Sequence, residues 1–278
     1  MSDRAGGTAL KPAGWRGEAW TDEELAYIHE HFSTTPAKEI AAHLGRSYSA
    51  VLQRGRIEGL PSRHRAGINS LVKDYFRVLD TPMKAYLLGL LASDGSVSKA
   101  GQLKLELHQK DRCLVELMRD ELAPGARTSD YRTRTSPMVR FMISSPDLVA
   151  DLAQHGVVNA KTLITEWPTM LTEHLENSFV CGYFDGDGSL NPKWLYRWAI
   201  VSGNPEFMGV MQDRIMAHTG VKVGGPYEDK RHNAAWSIVA TGEPVRALDA
   251  WLHRDVPGLA RKRFPTSDVL PLWELCHE

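Results

Sequence analysis

Apolar positions in the first sixty residues recur every three to four places, the spacing of helices that bury one stripe. Thr21 precedes DEELAYIHEHF and stands three residues before Glu24, the arrangement of a capping box, with acids in the first turn where the helix dipole favours them. PAKEIAAHLG opens on Pro36 and closes on Gly45, and SYSAVLQRGRIEGL then starts a third helix. The pattern is helix, glycine-containing turn, helix. Ile40, Ala41 and Leu44 are expected to pack on Val51 and Leu52, leaving Tyr48, Ser49, Gln53, Arg54 and Arg56 on an outward face. Residues 1–19 read as a tail, 20–60 as a small all-α module, and 61–72, with its polar, basic PSRHRAGINS stretch, as a linker.

Beyond the linker the pattern repeats. MKAYLLGLLASDGSVS and ENSFVCGYFDGDGSLN share an apolar run followed by Gly-x4-Asp-Gly-Ser, which places Asp94 and Asp187 at equivalent points 93 residues apart. In the first copy LKLELHQ alternates as a strand, DRCLVELMRDELA has helical periodicity, RTSDYRTRTS and VRFMISS form a hairpin, and a helix starts at Ser145. In the second, YRWAIVS is a strand, NPEFMGVMQDRIMAHTG a helix, VKVGGPYED with AAWSIVAT a hairpin, and GEPVRALDAWLHRDV a closing helix. The strand just after each Asp-Gly-Ser is the weakest element of the pattern. The expectation is an α+β fold of two repeats, 73–172 and 173–278, each ordered αββαββα, beside the small all-α module.

Length and composition narrow the class. The chain has 278 residues, 42% hydrophobic and 24% charged, enough for a substantial core. No uncharged apolar run approaches the roughly 18 residues of a membrane span and the N-terminus has no signal-peptide stretch, so a soluble, cytoplasmic protein is expected. Cys113, Cys181 and Cys276 lie far apart with no CxxC spacing, and the eleven histidines form no HExxH or HxxxH, so none is assigned to a metal or a disulfide framework. The net charge of −1 hides segregation. Residues 41–73 carry six basic side chains against Glu58 alone, and Arg127, Arg132, Arg134 and Arg140 surround Asp130. Charge sorted into stripes can present a phosphate-binding face on a neutral protein.

The segments Leu87–Gly95 (LLGLLASDG) and Val180–Gly188 (VCGYFDGDG) resemble the LAGLIDADG homing endonucleases in their single-chain, two-motif form, a likeness that covers about 200 residues. Residues 40–51 resemble the helix-turn-helix modules that accompany many DNA-acting proteins. The glycine in each apolar run suits two helices that approach backbone to backbone, with Gly89 facing Gly182. Two carboxylates meeting at negative helix ends repel, and a divalent cation would compensate. The resemblance implies that Asp94 and Asp187 jointly hold catalytic metal, Mg²⁺ with Mn²⁺ or Ca²⁺ as substitutes and Ca²⁺ without turnover. It further implies that both strands of double-stranded DNA are cut across the minor groove to leave short 3′ overhangs, on two repeats that form a saddle-shaped antiparallel platform.

Supporting groups follow from the same likeness. Lys161 and Lys262 stand where the family closes each repeat with a lysine, and Gln109 where a polar residue ends the strand beside the site. A lysine there would stabilise developing negative charge. Ala92 stands in the first motif where Asp185 stands in the second, and Asp185 is expected to cap or solvate the helix end. Lys99, Lys104, Arg132, Arg134, Arg140, Lys193, Arg197, Lys222 and Arg231 are long cations expected to reach phosphates or base edges from one face of the strands. The expected protein is a monomer with internal pseudo-two-fold symmetry. It lacks a terminal His-Asn pair and so reads as free-standing or intron-encoded rather than as an intein. Two other classes share these features, a non-cleaving transcription regulator of the same fold and an RNA maturase.

Overall fold

The computed structural model describes residues 19–63, 70–160, 164–229 and 235–265. The chain divides into two compact units, one running to Leu71 and including Ala123–Arg127, the other comprising Val72–Leu122 and Thr128 onwards.

The first unit holds α1 (Asp22–His31), α2 (Ala37–Leu44) and α3 (Tyr48–Ile57). The capping box forms: Thr21 Oγ1 accepts from Glu24 N–H at 3.2 Å, and Glu24 Oε2 accepts from Thr21 N–H at 2.9 Å. Gly45 ends α2 in the left-handed region at φ 63°, and the Ser47 hydroxyl caps α3 by accepting from Ala50 N–H at 3.2 Å. Ile28, Phe32, Ile40, Ala41 and Val51 form the core, with Leu44 and Leu52 packed against it, as the periodicity predicts. Arg46, counted above among the basic side chains, is committed to structure. Its guanidinium donates twice to Glu24 at 2.7 Å and lies 4.6 Å from the centre of the Trp20 ring.

The second unit is the duplication. Its first copy runs α4 (Pro82–Ser93), β1 (Gly95–Val97), β2 (Gln102–His108), α5 (Arg112–Leu122), β3 (Ser129–Arg132), β4 (Pro137–Ser144) and α6 (Pro146–Gln154). The second runs α7 (Glu176–Asp187), β5 (Gly188–Asn191), β6 (Arg197–Ser202), α8 (Pro205–Thr219), β7 (Gly224–Glu228), β8 (Trp236–Ala240) and α9 (Pro244–Leu252). Each copy builds one antiparallel four-stranded sheet, ordered β1-β2-β4-β3 and β5-β6-β8-β7. The short strands after the motifs are real and pair in equivalent registers, Gly95 with Leu105 and Gly188 with Ile200.

Alternation separates the faces. Leu103, Leu105 and Leu107 of β2 are buried beside Val139, Phe141 and Ile143 of β4, beneath α5 and α6. Trp198 and Ile200 are buried beside Ile238 and Ala240 beneath α8, with α9 packed on α7 and α8. One face of each sheet is thus filled by the core, and the other is mixed, with Lys104, Glu106, Arg140 and Met142 on the first sheet and Arg197, Val201 and Ser237 on the second. Among the described residues no helix is long and apolar enough to cross a membrane.

Candidate functional site

Buried α4 and α7 cross at their glycines. A Cβ on Gly89 would land on the Phe179 carbonyl oxygen and 2.9 Å from Tyr183 N. One on Gly182 would land on the Tyr86 carbonyl oxygen and 2.9 Å from Leu90 N. Tyr86 and Phe179, like Leu90 and Tyr183, are separated by the 93-residue repeat. The contact therefore maps onto itself when the copies are exchanged, which is the pseudo-two-fold relation the duplication predicts. The helix tips meet too: a Cβ on Gly186 would strike the Ser93 hydroxyl and lie 2.7 Å from Asp94 Oδ2.

Asp94 follows the last turn of α4 and Asp187 ends α7, so both carboxylates stand at C-terminal helix ends where unpaired carbonyls add negative potential. Tyr183 on α7 senses both: its phenol is pushed up first by burial, then by the charge of Asp187 and also by that of Asp94. Two converging carboxylates with no third acid, histidine or cysteine clustered beside them, among the described residues, form a sparse donor set of hard oxygens. Such a set fits a Mg²⁺-like ion, which keeps several waters and takes its remaining oxygens from phosphate. A softer or more fully caged metal would need ligands this tip does not bring together.

Lys262 takes a role the sequence did not indicate. It is buried, and its ammonium donates to the carbonyls of Phe184 (2.9 Å), Asp185 (2.6 Å) and Gly186 (3.2 Å), capping the last turn of α7 immediately before Asp187. Burial, against the pull of Asp185, lowers its pKa to about 8. Asp185 neither faces solvent nor caps its helix end. It is buried, accepts from the Tyr86 hydroxyl at 2.6 Å and from Leu259 N–H at 2.9 Å, and burial raises its pKa to about 6. Tyr86 lies on α4, so this pair ties the two helices together across the crossing. Nearby, Arg261 donates twice to the buried Asp111 at 2.9 Å, another anchor the spacing of motifs does not reveal. Gln109 is exposed at the start of the 3₁₀ turn Gln109–Asp111. Lys161 lies outside the described residues.

The cations separate by register. Lys104 and Arg140 stand on the open face of the first sheet and Arg197 on that of the second. Lys99, Arg134 and Lys193 are exposed in turns at strand ends. Arg132 shares the parity of Asp130, whose carboxylate pairs with Arg112 of α5, and so falls on the helix side of edge strand β3. Lys222 lines a hollow with Pro244, Arg246 and Ala247 of α9, again on the helix side. These two depart from the expected shared face because edge register and loop path, unlike alternation, are set by tertiary packing. Arg231 lies outside the described residues. On α3, Tyr48, Ser49, Gln53 and Arg56 are exposed, and Arg54 pairs with Glu58 at 2.6 Å.

No protein-family profile matches the chain, and no curated protein does. Solved structures do. The chain is similar to the homing endonuclease I-WcaI bound to its DNA recognition sequence, with 12% identity, a TM-score of 0.48, and 69% of this chain and 89% of that one covered. It is similar to I-DmoI in complex with DNA and Ca, with 18% identity, a TM-score of 0.43, and 64% and 90% covered. It is also similar to full-length DUF199/WhiA from Thermatoga maritima, with 15% identity, a TM-score of 0.45, and 65% and 60% covered. Identities this low leave the function to be read from the site itself.

Proposed function

We propose that this chain is a site-specific, divalent-metal-dependent endonuclease of the LAGLIDADG type that cuts both strands of double-stranded DNA. The observation that supports the reading is the Gly89–Gly182 crossing of two equivalent helices, one ending at Asp94 and the other at Asp187, with Gly186 of the second packed on Asp94 of the first. A duplex has its own two-fold axes, so a dyad with one acid per copy suits a substrate whose two strands are cut in equivalent chemistry.

Asp94 and Asp187 would hold the ion, most simply Mg²⁺, which supplies an activated water and charge neutralisation at the phosphodiester. The chain's own contribution is placement. The glycine crossing fixes the separation of the tips, and Lys262 fixes the last turn of α7 beneath Asp187. Gln109 and Lys161 are proposed to flank the scissile phosphates, with cleavage across the minor groove leaving short 3′ overhangs. The cations of the open sheet faces and of α3 are proposed to hold the flanking duplex, with the protein acting as a monomer.

The test is incubation of the wild type, Asp94→Asn and Asp187→Asn with a randomised duplex library and Mg²⁺, followed by sequencing of bound and cut molecules. Wild type should cut a defined subset, while each variant binds that subset and leaves it without double-strand breaks. Binding by all three proteins with every duplex intact would make a non-cleaving regulator the better reading.

A further inference from the structure

The segment that closes each copy reaches back to the turn leading into the other copy's second helix. Asp111 stands one residue before α5, and Asn204 one residue before α8. Asp111 takes two bonds of 2.9 Å from Arg261, which lies beyond α9 of the second copy. Asn204 donates to the Thr165 carbonyl at 2.9 Å, beyond α6 of the first. The same position in each copy is thus gripped by the other's closing segment, once by a neutral amide and once by a forked ion pair.

The grip on Asp111 belongs to a larger clasp. Within a few residues, Leu259 N–H donates to Asp185, Arg261 holds Asp111, and Lys262 caps the last turn of α7. Burial depresses the Lys262 ammonium most, and the charges that oppose it are those of Asp185 and, from the first copy, Asp111 and Asp94. One short stretch therefore touches both the tip that ends in Asp187 and the turn that begins with Gln109. That turn is well placed: Leu105 of β2 lies opposite Gly95, so β2 runs on past the level of Asp94 and delivers Gln109 beyond it.

We propose, resting on the endonuclease reading above, that Arg261 is a positioning residue: its grip on Asp111 holds Gln109 at a fixed offset from the α7 tip, so that Gln109 addresses one of the two scissile phosphates. An exposed turn left to itself samples many places. A guanidinium forked onto a carboxylate fixes direction as well as distance. Arg261 holds the first copy's turn, and the grip on Asn204 does not involve it, so loss of the fork falls on one strand.

Arg261→Gln removes the fork, and combining it with Asp111→Asn also removes the buried charge that would be left unpaired. Hydrogen exchange of the metal-free full chain reads position directly. The Lys110 and Arg112 amides, both bonded within the turn, should exchange about tenfold faster in either variant, with the amides of α7 unchanged. A plasmid carrying the selected site, with Mg²⁺, then reads each strand. Arg261→Gln and Gln109→Ala should slow the same strand about tenfold or more and accumulate nicked circles, and the double variant should be no slower than Arg261→Gln alone. Equal slowing of both strands, or unchanged exchange in the turn, overturns the inference while leaving the nuclease reading intact. A wild type that leaves every duplex uncut overturns the nuclease reading, and the inference with it.

Discussion

Gly89 and Gly182 are the residues on which the site depends most directly, because each stands where a single methyl would occupy the place of a backbone oxygen on the facing helix. Backbone in mid-helix cannot swing aside as a side chain can, so Gly182→Ala must separate the tips. We expect a loss of about 1–3 kcal/mol in urea unfolding and loss of double-strand cleavage. Gly209, on α8, has open space where its Cβ would sit, and Gly209→Ala should instead stabilise by up to about 1 kcal/mol. Equal effects of the two substitutions would show that the crossing is not a tight contact. His253 offers a second residue-scale test. Burial, reinforced by Arg263, lowers its pKa to about 3, while Cys181 and Asp249 face it from α7 and α9. A depressed histidine contributes stability that is complete above its unfolded pKa of about 6.5. That contribution is lost as pH falls towards 3. Chemical unfolding between pH 7 and 3 should therefore show a decline that His253→Phe flattens.

At the scale of elements, the end of α7 differs from a solvated helix terminus because one buried ammonium serves three of its carbonyls. Lys262→Met would leave those acceptors, and the buried Asp185 carboxylate, without their cation. A loss of about 3 kcal/mol is expected, read in urea, and a fall well under 1 kcal/mol would mean that solvent takes over the cap. The order of elements was legible from periodicity and caps alone: Thr21, Gly45, Ser145 and Gly220 mark ends that the structure keeps. The paired tips were legible as well, because duplication places Asp94 and Asp187 without any knowledge of packing. Asp185 was not, since the same acid at a helix end can be solvated or buried, and Tyr86, 99 positions away, and Leu259, 74 away, decide which. Arg132 and Lys222 were misplaced for a related reason. Alternation tells which residues share a face but not which face an edge strand or a loop turns towards the helices.

At the scale of the molecule, one unit contains both aspartates and both sheets, and the other is a three-helix module whose exposed α3 face carries Arg56 and Gln53. On the function proposed above, the three-helix module would capture duplex and so raise its local concentration at the other unit, without entering the chemistry. Substitution in α3 and substitution at the tips should therefore separate cleanly. Arg56→Ala removes one exposed cation, so the slope of log affinity against log salt should become shallower by about one, with binding weakened alike across sequences if its contact is to phosphate. The rate of cleavage at saturating DNA should stay unchanged. Asp94→Asn should do the reverse, leaving the salt slope intact and removing turnover. If Arg56→Ala lowered the saturated rate, α3 would be acting on the assembly of the site and not only on the capture of DNA.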